Sequence, residues 1–198
     1  IQASELQDKG VLANCHVNVL QTQDHPQFKT YAEELKWLTT DKVRMAWVAK
    51  TIKDISTSGN TLILVDRISA GQILQEQLKD SVFVSGSTKN TDRKEQYDEV
   101  STATNKIIIA TYGVASVGIN IPRIFNLVLI EPGKSFVRVI QSIGRGIRKA
   151  EDKENVQIWD ITSSCKFAKR HLGARKKFYK EANYPYNIEK INYENPYT

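Results

Sequence analysis

The sequence predicts an α/β fold: an open, mostly parallel sheet flanked by helices. Short apolar runs alternate with segments of helical period, and strands recur about every 20–25 residues, the rhythm of parallel strands joined by crossover helices. The runs Leu62-Ile63-Leu64-Val65, Ile107-Ile108-Ile109-Ala110 and Leu127-Val128-Leu129-Ile130 are continuous rather than alternating, as in strands covered on both faces. In such sheets ligands gather at the carboxyl ends of the strands, so the loops after "IIIA" and "VLIE" are the places to search.

Each element follows from its own pattern. "ASELQDKG" reads as a short helix stopped by Gly10. "CHVNVLQT" alternates and reads as a strand. "PQFKTYAEELKWL" and "DKVRMAWVAKTIKDI" read as amphipathic helices, the second with Val43, Trp47, Thr51 and Ile55 on one face and Ala46 and Ala49 near it. "GNTLILVD" is a buried strand, "SAGQILQEQLK" a helix and "VFVSG" a short strand. "NTDRKEQYDEV" is a polar helix that Asn90 or Thr91 can cap. "NKIIIAT" and "FNLVLIE" are apolar strands, "SFVRVIQSIG" a helix, "NVQIWDITS" a strand, "KFAKRHLGARKKFYKEA" a basic helix and "YNIEKINY" a last strand. Trp37, Trp47 and Trp159 fall in periodic apolar patterns that suit a core.

Composition narrows the function. Net charge is +6, from 28 Lys and Arg against 22 Asp and Glu, which favours an anionic partner, nucleic acid above all. Cys15 and Cys165 are the two cysteines, too few for a disulfide framework, so a reducing cytoplasm is the expected location. No Cys or His spacing suggests a metal site; His16, His25 and His171 are scattered. No run of about 18 apolar residues suggests a membrane partner. The chain begins at Ile1 and its one methionine, Met45, lies inside a helical pattern, so the expectation is a start partway through a longer protein.

"EPGKS" imitates the end of a phosphate loop at Gly133-Lys134-Ser135. The full pattern needs a further glycine where Val128 stands, so a Pro-Gly turn before a helix is the better reading. No Asp-Glu pair at a strand end offers a magnesium site. "SFVRVIQSIGRGIR" carries more. At about 100° per residue, Phe136, Ile140, Ile143 and Ile147 fall on one side and Arg138, Gln141, Arg145 and Arg148 on the other. Gly144 and Gly146 permit close approach, and arginine matches phosphate oxygens in a planar fork. A wet basic helix face has the same pattern. Upstream, "TYGVASVGINIPR" reads as a loop leaving the strand end at Thr111, with Gly118, Asn120 and Pro122 in a polar segment that can line a cleft or simply connect.

Together these residues resemble the second, C-terminal RecA-like motor domain of superfamily 2 helicases. "QSIGRGIR" resembles motif VI, "TYGVASVGINIP" motif V, "TLILVDR" motif IV and "VSGSTKNTDRKE" the segment between motifs IV and V, in order from about Thr61 to Arg148. The resemblance implies residues 1–12 as the junction with an N-terminal motor domain, 13–165 as the RecA-like domain and 166–198 as a basic helix with a final strand. It implies that Arg148 and Arg145 reach ATP held on the other motor domain, that Gln141 helps hold the γ-phosphate or the attacking water, and that Gly118 and Asn120 face the nucleotide. Many relatives have Asp where Asn120 stands. Thr111, Gly86, Arg67 and Arg93 would hold the nucleic-acid backbone, reading phosphate rather than bases. ATP and Mg2+ would be held mainly by the N-terminal motor domain, which carries the phosphate loop. The expected partners are that domain and DNA, in branched or single-stranded regions.

The last helix adds a basic surface. Lys166, Lys169, Arg170, Arg175, Lys176, Lys177 and Lys180 precede any acid, and of these Lys169, Arg170, Lys176 and Lys177 are the expected nucleic-acid contacts. Phe167, Phe178 and Tyr179 are expected to pack inward. A basic module that binds nucleic acid without catalysis shares this surface.

Overall fold

In a computed structural model, residues 15–86, 92, 94–95, 104–116, 124–133, 136, 139–140 and 156–197 are described. The strands are β1 (Cys15–Thr22), β2 (Thr61–Val65), β3 (Val82–Val84), β4 (Ile107–Thr111), β5 (Asn126–Ile130), β6 (Val156–Ser163) and β7 (Tyr186–Ile191). The helices are α1 (Tyr31–Thr40), α2 (Lys42–Ile55), α3 (Ile68–Gln77), a short α4 (Tyr112–Ser116) and α5 (Lys166–Glu181). The sheet runs β3-β4-β2-β5-β6-β1-β7 and every pair is parallel. β7 belongs to the same sheet as the rest, pairing with β1 from Val17↔Tyr186 to Thr22↔Ile191, and the basic helix packs against that sheet.

The continuous apolar runs do what their composition requires. Successive side chains alternate between faces. Leu62, Leu64, Ile108, Ala110, Leu127 and Leu129 enter one core cluster, with Phe136, Val139, Ile140, Leu172 and Tyr179. Ile63, Val65, Ile107, Ile109, Val128 and Ile130 enter the other, with Met45, Val48, Ile52 and Leu74. So α2 and α3 cover one face, and α4, α5 and the segment around Phe136 cover the opposite one. A third, small cluster of Leu38, Cys165 and Ala168 joins α1 to the start of α5.

Helix ends are set by local chemistry. Thr30 accepts from the Glu33 amide to start α1 (3.2 Å). Asp41 closes α1, its amide donating to the Trp37 carbonyl, and opens α2 by accepting from the Arg44 amide (3.0 Å). Gly59, at φ 155°, lies against Phe125 so tightly that a Cβ would come within 2.9 Å of that side chain.

Several expectations change. The buried stripe of α2 is Met45, Val48, Ala49, Ile52 and Ile55, with Arg44 beside it; Val43, Trp47 and Thr51 are half-buried. The stripe is rotated because Arg44 enters the interior to make ion pairs. The segment after Thr111 begins as a helix, α4, rather than a loop, because Val114 and Ala115 pack into the core. The three tryptophans flank the clusters: Trp37, Trp47 and Trp159 are half-buried and pack at the edges. Of the aromatics of α5, Tyr179 is fully buried and Phe167 and Phe178 partly so. The first helix and Asn90 or Thr91 as a cap lie outside the described residues. Neither cysteine forms a disulfide. No helix among the described residues is long and apolar enough to cross a membrane, and no group of three or more metal-ligating side chains occurs among them.

Candidate functional site

The strand order brings predicted contact residues together. β3, β4 and β2 are neighbours, and at or just beyond their carboxyl ends lie Gly86, Thr111 and Arg67. Thr111 is the last residue of β4 and is half-buried; its Oγ1 accepts from the Val114 amide at 3.3 Å and so starts α4. Arg67 precedes α3, and its Nε meets Asp66 Oδ2 at 2.9 Å. That side chain is 36% exposed, which leaves the guanidinium accessible to a second anion. Asp66 Oδ1 is buried and has no hydrogen-bond partner among the described residues. Gly86 is exposed, and a Cβ there would meet nothing within 4 Å. Lys169, Arg170 and Lys177 are exposed on α5, and Lys176 is half-buried. Gln141, Arg145, Arg148, Gly118, Asn120 and Arg93 lie outside the described residues.

One predicted cation is withdrawn from the surface. Arg175, read as part of the basic stripe, is buried and forms a two-pronged pair with Asp160, Nε to Oδ2 at 2.8 Å and Nη2 to Oδ1 at 2.9 Å. Its Nη1 donates to the Pro132 carbonyl at 2.7 Å, and Tyr179 donates its hydroxyl to Asp160 Oδ2 at 2.7 Å. Burial first, and then the Asp160 carboxylate, push the Tyr179 phenol well above its ordinary value, so it stays a donor. The network fixes α5 against the sheet and anchors the turn after β5.

Sequence reasoning also missed Arg44 and Glu131. Arg44 is fully buried and donates to Glu131 Oε1 (2.8 Å), Thr22 Oγ1 (3.1 Å), and the Leu38 and Thr162 carbonyls. Asp24 lies 3.6 Å from its Nε. Glu131 takes a left-handed φ of 45°, uncommon for a residue other than glycine, and its other oxygen accepts from Thr162 (3.2 Å). The turn Glu131-Pro132 is therefore held from both faces of the sheet, by Arg44 of α2 and Arg175 of α5. It leads to buried Phe136, Val139 and Ile140, and Gln141 follows directly. A charged residue closing an apolar run, as in "LVLIE" and "QIWD", was the one available signal. Glu34 is a further case: both its oxygens accept from the first amides of α5, Phe167 (3.0 Å) and Ala168 (2.8 Å).

Burial pushes the Glu131 carboxyl up from 4.5 to about 7, although the Arg44 and Arg175 guanidiniums pull the other way. Between those values the folded chain binds more protons than the unfolded chain. Stability from this group is thus full below about 4.5 and is lost as pH rises through about 7. Denaturant titrations should show wild type losing more stability than Glu131→Gln between pH 5 and pH 8, about. Parallel profiles would remove the buried carboxyl as the cause.

The all-parallel sheet flanked by helices is the fold of RecA-like helicase C-terminal domains, and the chain belongs to the family described as helicase conserved C-terminal domain, matched over residues 43–150. Across 189 residues, 90% of the chain, it is 28% identical to the ATP-dependent DNA helicase uvsW of Enterobacteria phage T4. That match spans 38% of the relative, so the chain covers about two-fifths of its length. It is also 31% identical over 104 residues, 50% of the chain and 18% of the relative, to putative helicase 22 of a Sulfolobus islandicus filamentous virus. The fold superposes on the crystal structure of T4 UvsW with a TM-score of 0.78 at 23% identity, covering 90% of this chain and 42% of that one. On the C-terminal domain of the DEAD-box protein Dbp5 the TM-score is 0.59 at 18% identity, covering 92% of each chain. Likeness at such identities speaks for the fold alone.

Proposed function

We propose that this chain is the second motor half of an ATP-dependent DNA helicase or translocase that works at branched or single-stranded DNA in recombination, replication and repair, in the cytoplasm of a host cell. The observation that carries the reading is the similarity over 90% of the chain to a protein named as an ATP-dependent DNA helicase. In this reading Arg148 and Arg145 neutralise charge developing on the phosphates of ATP bound by the N-terminal motor domain, and Gln141 orders the γ-phosphate or the attacking water. Mg2+ belongs to that other domain. Gly118 and Asn120 line the nucleotide side of the cleft.

Gly86, Thr111, Arg67 and Arg93 grip the backbone of the tracked strand. The first three stand on neighbouring strand ends, which supports a shared contact line. Lys169, Arg170, Lys176 and Lys177 extend the grip along α5. Closing of the two halves on ATP and reopening after hydrolysis then alternates the grip and moves the strand.

The exposed cations of α5 also favour a second reading, a basic module that binds nucleic acid and catalyses nothing. Strand separation on forked DNA by the intact motor distinguishes the two. Unwinding that requires hydrolysable ATP supports the motor, and binding with no ATP-dependent unwinding supports the module.

A further inference from the structure

Gly173 occupies an unusual place in α5. Ala168, Leu172, Arg175 and Tyr179 are the buried side of this helix. On the opposite side, Lys166, Lys169, Arg170, Gly173, Lys177 and Lys180 are exposed and Lys176 is half-buried. At 3.6 residues per turn, Lys166, Lys169, Arg170, Lys176, Lys177 and Lys180 all lie within about 60° of Gly173. Three cations precede it and three follow, so the glycine is the centre of a positive stripe roughly 21 Å long. None of these six forms an ion pair with another described residue, whereas Arg175, on the inner side, is locked to Asp160. Lys166 and Arg170 instead lie over the Phe167 ring, 5.4 and 5.6 Å from its centroid.

Nothing inside the fold asks for glycine here. Gly59 is the positive-φ glycine among the described residues, so Gly173 has no left-handed backbone to accommodate. A Cβ at position 173 would meet nothing within 4 Å. Glycine in a helix interior is less stable than almost any other residue, so the position sacrifices stability without an internal return. Its effect is to bare the helix backbone midway between two groups of cations. The neighbouring Ala174 is exposed and short as well.

We propose that Gly173 is a seat for the phosphodiester backbone of one nucleic-acid strand, which crosses α5 at this gap with its phosphates shared between the cations on either side. The inference rests on the reading of α5 as a nucleic-acid-binding face. It adds a steric element to that face: charge attracts the strand, and the missing side chain fixes where it lies. Anchoring of α5 through the Arg175–Asp160 pair keeps the stripe from rotating about the helix axis, so the gap stays outward.

The test is a graded series, Gly173→Ala and Gly173→Leu, on the full chain, with fluorescent oligothymidylate and a duplex of equal length as probes. Both residues favour helix more than glycine does, so the melting temperature should rise by about 2–4 °C. Affinity should nevertheless fall as the side chain grows, by about tenfold for Leu, which corresponds to about 1.4 kcal/mol. The slope of log affinity against log salt should stay unchanged, because no charge is lost. The probe that suffers the loss identifies whether the seated strand is free or part of a duplex. A second pair of variants, Lys176→Ala and Lys177→Ala, should weaken binding and reduce the salt slope by about 0.7–0.9 each. If these cation variants bind less well while Gly173→Leu binds both probes as wild type does, the seat is wrong and the basic face stands. If the cation variants bind as wild type, the basic face and the seat fall together.

Discussion

Replacing Arg148 by Ala in the intact motor should lower ATP turnover by about 10³–10⁵-fold while leaving DNA affinity within a few-fold. The size follows from where the charge acts. An arginine that reaches a transferring phosphoryl group meets charge that develops only in the transition state, in a site from which water is excluded. Its loss therefore appears in kcat rather than in the KM for ATP. Arg145→Ala should be milder, because Arg148 is the expected finger. The DNA contacts proposed on α5 and at Arg67 are unaltered in both variants, so binding should persist. A passive binding module needs neither arginine and has no turnover to lose.

The second large effect concerns stability. Arg175→Ala should destabilise the fold by about 3–5 kcal/mol, measured by denaturant unfolding, because it strands a buried carboxylate. Asp160 is fully buried and would keep only the Tyr179 hydroxyl of its three present donors. The Pro132 carbonyl would lose its donor as well. Asp160→Asn keeps the shape and one acceptor and should cost less. A near-wild-type unfolding midpoint for Arg175→Ala would contradict the geometry of this pair. An ordinary surface lysine such as Lys180, changed to Ala, should by contrast shift stability by no more than about 0.5 kcal/mol.

The sheet was legible because its signal is local. Leu62 to Val65, Ile107 to Ala110 and Leu127 to Ile130 are apolar at every position, and each run sends alternate side chains into the two opposite clusters. The ion pairs were not legible, because their partners are distant in sequence: Arg44 meets Glu131 across 87 positions. A periodic pattern treats Arg44 as a boundary of the apolar stripe, and that is why the stripe of α2 was read through Val43 and Trp47. The same limit applied to Arg175, which has the sequence context of its neighbours, half-buried Lys176 and exposed Lys177, yet faces Asp160 on β6. Helical spacing alone could have separated it, since Ala168, Leu172, Arg175 and Tyr179 recur at the interval of a buried face.

The candidate site divides in a similar way. Gly86, Thr111 and Arg67 could be named one by one, but their adjacency depends on the order β3-β4-β2, which no single segment encodes. Gln141, Arg145 and Arg148 drew their meaning from the motif as a whole. An arginine on a wet helix and an arginine aimed at phosphate have the same local chemistry, and only the partner across the cleft separates them. The turn Glu131-Pro132, held by arginines from two helices, precedes that motif, with buried Phe136, Val139 and Ile140 between them.

The central claim is that this chain supplies positive side chains to a triphosphate held by another domain. Steady-state ATP hydrolysis tests it most directly, with the chain alone, the N-terminal motor domain alone, and the two combined in the presence of DNA. Turnover should appear in the combination, vanish when the chain carries Arg148→Ala, and be absent from either part by itself. Clear turnover by the chain alone, or a combination indifferent to Arg148, would contradict the account.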